Sequence, residues 1–197
     1  MRFRLFGTQI YVSFLFVAII AFMIATDRTG LILPTVFAIA VHETGHLFAM
    51  WVTECEPKSV RLIPASVQIV RKMSPKPNGE ISVSVMGPVA NLLLFAVLYI
   101  NYRLFGNLHI LEFAFLNLII CIFNLLPVKG LDGGSILKEL LIKKISEQKA
   151  EIIITATSLF TASAAVILGV VTTYESNFNI SIFAVAIYIT VCTLMKH

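Results

Sequence analysis

The chain has 197 residues, 58% hydrophobic and only 13% charged (15 Lys+Arg and 11 Asp+Glu), with a formal net charge of +4 and a mean hydropathy of +0.90. A water-soluble domain carries about 25% charged residues, so a cytosolic enzyme, a disordered chain and a disulfide scaffold all fit poorly. The bilayer is the solvent this composition suits. At roughly 20 residues per span, the length holds about six spans and some 75 residues of loop.

In chain order, long apolar runs fall at Leu5–Thr26, Leu31–Val52, Ile81–Tyr102, Leu108–Leu126, Ile152–Val171 and Phe178–Met195. They predict an all-α polytopic membrane protein, six transmembrane helices in a single domain over residues 1–197. The first run exceeds a signal-peptide core and lacks a small-x-small cleavage site, so it reads as a retained span. Asp27–Gly30 and Arg103–Asn107 are short, Gly-bearing reversals. With six spans, one side of the membrane holds Arg2, Arg4, Lys58, Arg61, Arg71, Lys72, Lys76, Lys129, Lys138, Lys143, Lys144, Lys149 and Lys196, and the other only Arg28 and Arg103. That bias places both termini in the cytoplasm. The basic charge is therefore topology, and no nucleic-acid partner is called for. Cys55, Cys121 and Cys192 form no CxxC pair, so neither a disulfide framework nor a thiolate metal site is supported.

Two loops have structure of their own. Ser59–Arg71 alternates in part, with Val60, Leu62, Val67 and Ile69, and Glu80–Val85 alternates strictly. Both read as short strands, a small membrane-associated β-hairpin or strand element. The 80–85 strand would offer an edge to an extended substrate. Further on, Ile136, Leu137, Leu140, Leu141 and Ile145 recur at helical spacing among Lys and Glu, predicting an amphipathic helix on the cytoplasmic surface.

The chemistry concentrates in the second run, at His42-Glu43-Thr44-Gly45-His46. On a helix, positions i and i+4 share a face, so both imidazoles reach one metal ion, and Glu43 beside them can take a proton from the attacking water. The alternative is a set of polar residues satisfied by neighbouring helices. Each ionisable group within a span costs at least ~2.5 kcal/mol, however, and three within five residues call for a ligand that offsets the cost. A catalytic zinc generally takes a third protein ligand. His109 lies near the other end of span four and His197 is terminal, which leaves Asp132 in Asn124-Leu-Leu-Pro-Val-Lys-Gly-Leu-Asp-Gly-Gly134. There Pro127, Gly130, Gly133 and Gly134 should break the helix, and irregular backbone at membrane depth lines polar cavities. A loop carboxylate capping a helix that begins near Ser135 accounts for Asp132 equally well. Gly87-Pro88-Val-Ala-Asn91 in span three is, alone, an ordinary helix-packing device.

Together the three motifs resemble the site-2 protease family of intramembrane zinc metalloproteases. HETGH, GPVAN and N-x-x-P-x-x-x-L-D-G occur here in the family's order, and the layout covers nearly the whole chain. The resemblance implies one catalytic Zn2+ held by His42, His46 and Asp132, with Glu43 as acid/base. It also implies that Asn91 and Asn124, with Gly87, Pro88 and Pro127, support the site or the substrate. It implies a bacterial cell-membrane protein acting on a membrane-associated protein, in the manner of pro-sigma-factor processing in sporulation. Inhibitory or regulatory membrane proteins are further expected partners. His42 is about ten residues, or ~15 Å, from the cytoplasmic end of its span, which puts the active site in the cytoplasmic half of the bilayer. Neither a PDZ-like insertion nor the CBS domain common in the sporulation branch is expected in this chain. The rival functions are a metal transporter using the same His/Asp cluster, a catalytically dead binding protein, and a general site-2 protease cleaving transmembrane anti-sigma factors or signal-peptide remnants. The complete HExxH and the absence of a pseudo-repeat disfavour the first two.

Overall fold

The computed structural model describes residues 2–5, 8–54, 57–63, 66–71, 79–175, 187, 189–190 and 193. It is mostly helical, with one four-stranded sheet, and it divides into two compact units, residues 1–121 and 122–197.

The first unit begins with two strands, β1 (Arg2–Leu5) and β2 (Thr8–Val12), followed by helices α1 (Phe14–Thr26) and α2 (Ile32–Val52). The expected span at Leu5–Thr26 is thus corrected. Its first third pairs in a sheet, and the helix that remains has 13 residues, or ~20 Å against a ~30 Å hydrocarbon core. Arg2-Phe3-Arg4-Leu5 and Thr8-Gln9-Ile10-Tyr11-Val12 place polar groups at every second position or nearly so, a pattern that suits a strand. Strands β3 (Pro57–Ile63) and β4 (Ser66–Arg71) form an antiparallel pair, and β3 runs parallel to β2, giving the order β1-β2-β3-β4. A parallel pair needs a long crossover, and here α1 and α2 supply it.

Helix α3 (Gly79–Phe105) contains the whole of Glu80–Val85, so the expected strand there is overturned, and with it an edge for substrate at that position. The buried residues of α3 explain why. Gly79, Val83, Ser84, Gly87, Pro88 and Asn91 recur every three or four positions, one stripe of a helix in which small and polar residues face inward. Ala49 and Met50 of α2 pack with Val83 of α3, and Met86 closes the cluster. Helix α4 (Leu108–Asn124) follows after a short turn. His109, near its start, is exposed and pairs with Glu112 at 3.2 Å.

The second unit holds helices α5 (Asp132–Ile142) and α6 (Glu147–Glu175). Asp132 and both following glycines belong to α5, which corrects the expectation that Gly133 and Gly134 interrupt helix. Their role is close approach: a Cβ on Gly134 would lie 2.1 Å from the Val128 carbonyl oxygen, and one on Gly133 2.2 Å from that of Leu125. Val128, Leu131, Ala162 and Ile189 are buried together, with Phe123 and Leu126 against them. Helix α6 clamps the preceding loop with side chains. Ser158 Oγ accepts from the Lys129 amide at 2.8 Å, and Thr157 Oγ1 donates to the Pro127 carbonyl at 2.9 Å. Lys129 also pairs with Glu151, which Lys138 of α5 approaches at 3.5 Å.

Among the described residues, three helices are long and apolar enough to cross a membrane, at Ile32–Val52, Gly79–Phe105 and Glu147–Val171, with shorter apolar helices at Val17–Thr26 and Leu108–Asn124. The expected sixth span, Phe178–Met195, lies largely outside the described residues. Polarity is inverted relative to a soluble fold: His42, Asn91, Asn117 and Ser158 are buried, while Leu93, Phe105, Phe160 and Ile167 are exposed. The chain is an integral membrane protein.

Two outcomes follow from these contacts. Ser158→Ala leaves the Lys129 amide without its acceptor and should destabilise the second unit by about 1–3 kcal/mol, read by thermal unfolding in detergent. In the α1–α2 turn, Asp27 accepts from the amides of Ile32 (2.9 Å), Thr29 (2.8 Å) and Gly30 (3.1 Å) and from the Thr29 hydroxyl (2.7 Å). These bonds, the Ile32 amide first and the Thr29 side chain second, hold its carboxyl below the usual carboxylate value. A depressed acid stabilises above its unfolded value and loses that contribution as pH falls through the folded one. The protection factors of the Thr29 and Ile32 amides, that is exchange relative to the intrinsic rate at each pH, should therefore fall below about pH 4, and Asp27→Ala should abolish that pH dependence.

Candidate metal centre

Helix α2 carries both imidazoles on the face turned toward α3, where His42 is 4% and His46 8% exposed. Their rings meet edge to face, with centroids 4.7 Å apart. Each ring is oriented from behind through Nδ1. His46 Nδ1 lies 2.8 Å from the carbonyl oxygen of Val83, and His42 Nδ1 lies 2.7 Å from Asn91 Oδ1.

These partners fix the tautomers. A carbonyl only accepts, so His46 carries its proton on Nδ1. The Asn91 amide is oriented by its own bonds, since Nδ2 donates to the Ala38 carbonyl at 2.9 Å and to Asn117 Oδ1 at 3.0 Å. The reversed amide would face oxygen against oxygen, so Oδ1 points at His42, which must then donate from Nδ1. With Nδ1 donating in each ring, Nε2 is the nitrogen turned to the shared side, and the two Nε2 atoms lie 3.1 Å apart. Two ligands at about 2.05 Å in tetrahedral array are ~3.3 Å apart, so the pair fits a zinc ion.

Gly87 sits directly beneath. A Cβ there would lie 2.4 Å from His46 Nε2 and 2.8 Å from His42 Nε2, so only glycine lets α3 pass under the imidazoles. Pro88 follows it in the same buried stripe. Of the expected site residues, His42, His46, Gly87, Pro88 and Asn91 are thus gathered in the first unit, and Glu43 is half-buried next to His42. In the second unit Asn124 ends α4, Pro127 lies in the clamped loop and Asp132 opens α5, half-buried. Sequence reasoning missed Asn117, which is 0% exposed and bonded to Asn91. It also missed the Val83 carbonyl, for which no residue type gives a signal. Asn117 did have one, an amide in the middle of the apolar stretch Phe113–Phe123.

A buried histidine pair with both Nε2 atoms converging, on a membrane helix, defines a metal-binding membrane protein. Comparison with known proteins makes that class particular. Residues 104–165 match the model of Peptidase family M50. The chain is 28% identical over 118 residues to a zinc metalloprotease of Methanocaldococcus jannaschii, covering 57% of this chain and 34% of that protein. It is 30% identical over 145 residues to stage IV sporulation protein FB of Bacillus subtilis, covering 72% of this chain and 50% of the relative. The chain therefore spans a third to a half of the length of these relatives. The solved site-2 protease of Methanocaldococcus jannaschii superposes with a TM-score of 0.73 at 23% identity, over 98% of this chain and 93% of that one. Residues 104–165 thus carry Peptidase M50 sequence, and the chain has the fold of that solved site-2 protease.

Gly87→Ala should push both imidazoles from their present positions. Zinc retained after purification should fall well below one equivalent, measured by metal analysis, while the far-ultraviolet circular dichroism stays helical.

Proposed function

We propose that this protein is a zinc metallopeptidase of the site-2 type, hydrolysing a peptide bond of a membrane-associated protein within or beside the bilayer. The observation that carries the reading is the convergence of the two Nε2 atoms of His42 and His46, 3.1 Å apart and buried on one face of α2. Asp132 is the third ligand on this reading, by the match of Asn124-x-x-Pro127-x-x-x-Leu131-Asp132-Gly to the family pattern. Bound there, zinc would act as a Lewis acid and make water a competent nucleophile at neutral pH. Glu43 takes the proton of the attacking water and returns one to the leaving amine. Asn91 and the Val83 carbonyl hold the rings, while Asn124 and Pro127 support the substrate side. On this reading α1, shortened as it is, still makes the first of six crossings, and cytoplasmic termini and a site in the cytoplasmic half of a bacterial membrane complete it, supported by the thirteen-to-two distribution of basic residues. The 30% identity to stage IV sporulation protein FB favours regulated processing of a pro-protein, such as a pro-sigma factor, with regulatory membrane proteins as further partners.

The test is Glu43→Gln in the full chain, co-expressed with membrane-associated pro-proteins. Removing a general base should lower cleavage about 10²–10⁴-fold while one equivalent of zinc remains bound. Cleavage that persists in the variant refutes the assignment of Glu43. Zinc flux into vesicles by the wild type, without proteolysis, would instead establish a transporter.

A further inference from the structure

We propose that Asn117 of α4 is a positioning residue, which fixes the tautomer of His42 from two side chains away; this rests on the metallopeptidase reading above. Asn117 is fully buried and does not reach the imidazoles. It belongs to a chain of directed hydrogen bonds that ends on one of them. Asn117 Nδ2 donates to the Phe113 carbonyl at 2.8 Å, and its Oδ1 accepts from Asn91 Nδ2 at 3.0 Å. The second Asn91 N–H donates to the Ala38 carbonyl at 2.9 Å, and Asn91 Oδ1 accepts from His42 at 2.7 Å.

Every link has one permitted direction. The Phe113 and Ala38 carbonyls are backbone acceptors and cannot reverse their role. Anchored on Phe113, Asn117 can present only its oxygen to Asn91. That oxygen, with the Ala38 carbonyl, uses both Asn91 N–H bonds and turns Asn91 Oδ1 toward His42. Three helices, α4, α3 and α2, thus transmit a single piece of chemical information, that His42 carries its proton on Nδ1 and keeps Nε2 for the metal. Outer partners of this kind typically change metal affinity 10–100-fold when removed, and a member one step further out should fall at the lower end.

Asn117→Leu keeps the branched shape and the number of side-chain heavy atoms, at a larger volume, and removes both bonds. Asn91 then loses an acceptor and can turn its amide over, so that nitrogen faces His42 and selects the wrong tautomer. In the full chain with Glu43→Gln to prevent turnover, Asn117→Leu should raise the zinc dissociation constant about tenfold, measured by competition with a chelator. The effect must pass through Asn91. In an Asn91→Ala background, Asn117→Leu should add little, a non-additivity that an independent packing role would not produce. Nitrogen-15 chemical shifts of the His42 ring in metal-free protein give a reading independent of zinc. The wild type should show the Nδ1-protonated form, and Asn117→Leu a mixture of the two tautomers. Should Asn117→Leu fail to fold, Asn117→Ser, whose hydroxyl is too short to bridge Phe113 and Asn91, is measured in the same way. Additive effects on zinc binding, or an unchanged tautomer ratio, overturn the proposal. A wild type that binds no zinc but shows the tautomer shift on substitution would sink the metallopeptidase reading and leave the positioning role standing.

Discussion

Two hydrogen bonds at the backs of the imidazoles, His42 to Asn91 and His46 to the Val83 carbonyl, are what the surrounding structure exists to make. In water an imidazole exchanges tautomers freely, and either nitrogen can ligate. Inside an apolar bundle an unmade hydrogen bond has no water to fall back on, so each ring must be satisfied on one side and left competent on the other. Helix α3 meets both needs at once. It supplies a backbone acceptor at Val83 and a side-chain acceptor at Asn91, and between them it presents a glycine, so that the helix axis comes near enough for both bonds.

That requirement explains the composition of α3 better than secondary-structure propensity does. Its inward stripe runs Gly79, Val83, Ser84, Gly87, Pro88, Asn91. Proline in a helix interior removes a backbone bond and would be costly in water-exposed helix. A membrane helix tolerates it when neighbouring helices restore the freed groups, and here α2 packs against this same stretch. The carbonyl of Val83 also has a second donor in His46, so the ring orients itself on backbone that the helix provides in any case.

The same physics decides what could be read in the sequence. HExxH was legible because two histidines and a glutamate are expensive in a span, and nothing short of a ligand accounts for them together. The role proposed for Asp132 rests on the motif that surrounds it rather than on any cost of burial. Glu-Ile-Ser-Val-Ser-Val at 80–85 misled because alternation is the strand signal of a half-wet sheet. A membrane helix inverts polarity, and its relevant pattern is small and polar residues every third or fourth position, which continues through Gly87 and Asn91. The first strand pair was hidden for a different reason. A hydropathy window as long as a span averages Thr8–Val12 with the apolar Phe14–Thr26 and returns one segment where the chain makes two elements. Asn117 looked like an isolated polar residue in an apolar run, and only the tertiary pairing of α3 with α4 reveals that it completes a chain.

The loop that ends in Asp132 follows a parallel logic with different parts. Pro127 stops α4, and the backbone groups released there are met by Thr157 and Ser158 reaching across from α6. Gly133 and Gly134 allow α5 to start directly beneath the carbonyls of Leu125 and Val128, where any larger residue would collide. The consequence is that a carboxylate lands in the first turn of a helix, where the helix dipole favours negative charge, on backbone too tightly held to wander. The glycines and the proline therefore act through close packing: they let the irregular segment between α4 and α5 lie against the start of α5, where Asp132 stands in the first turn.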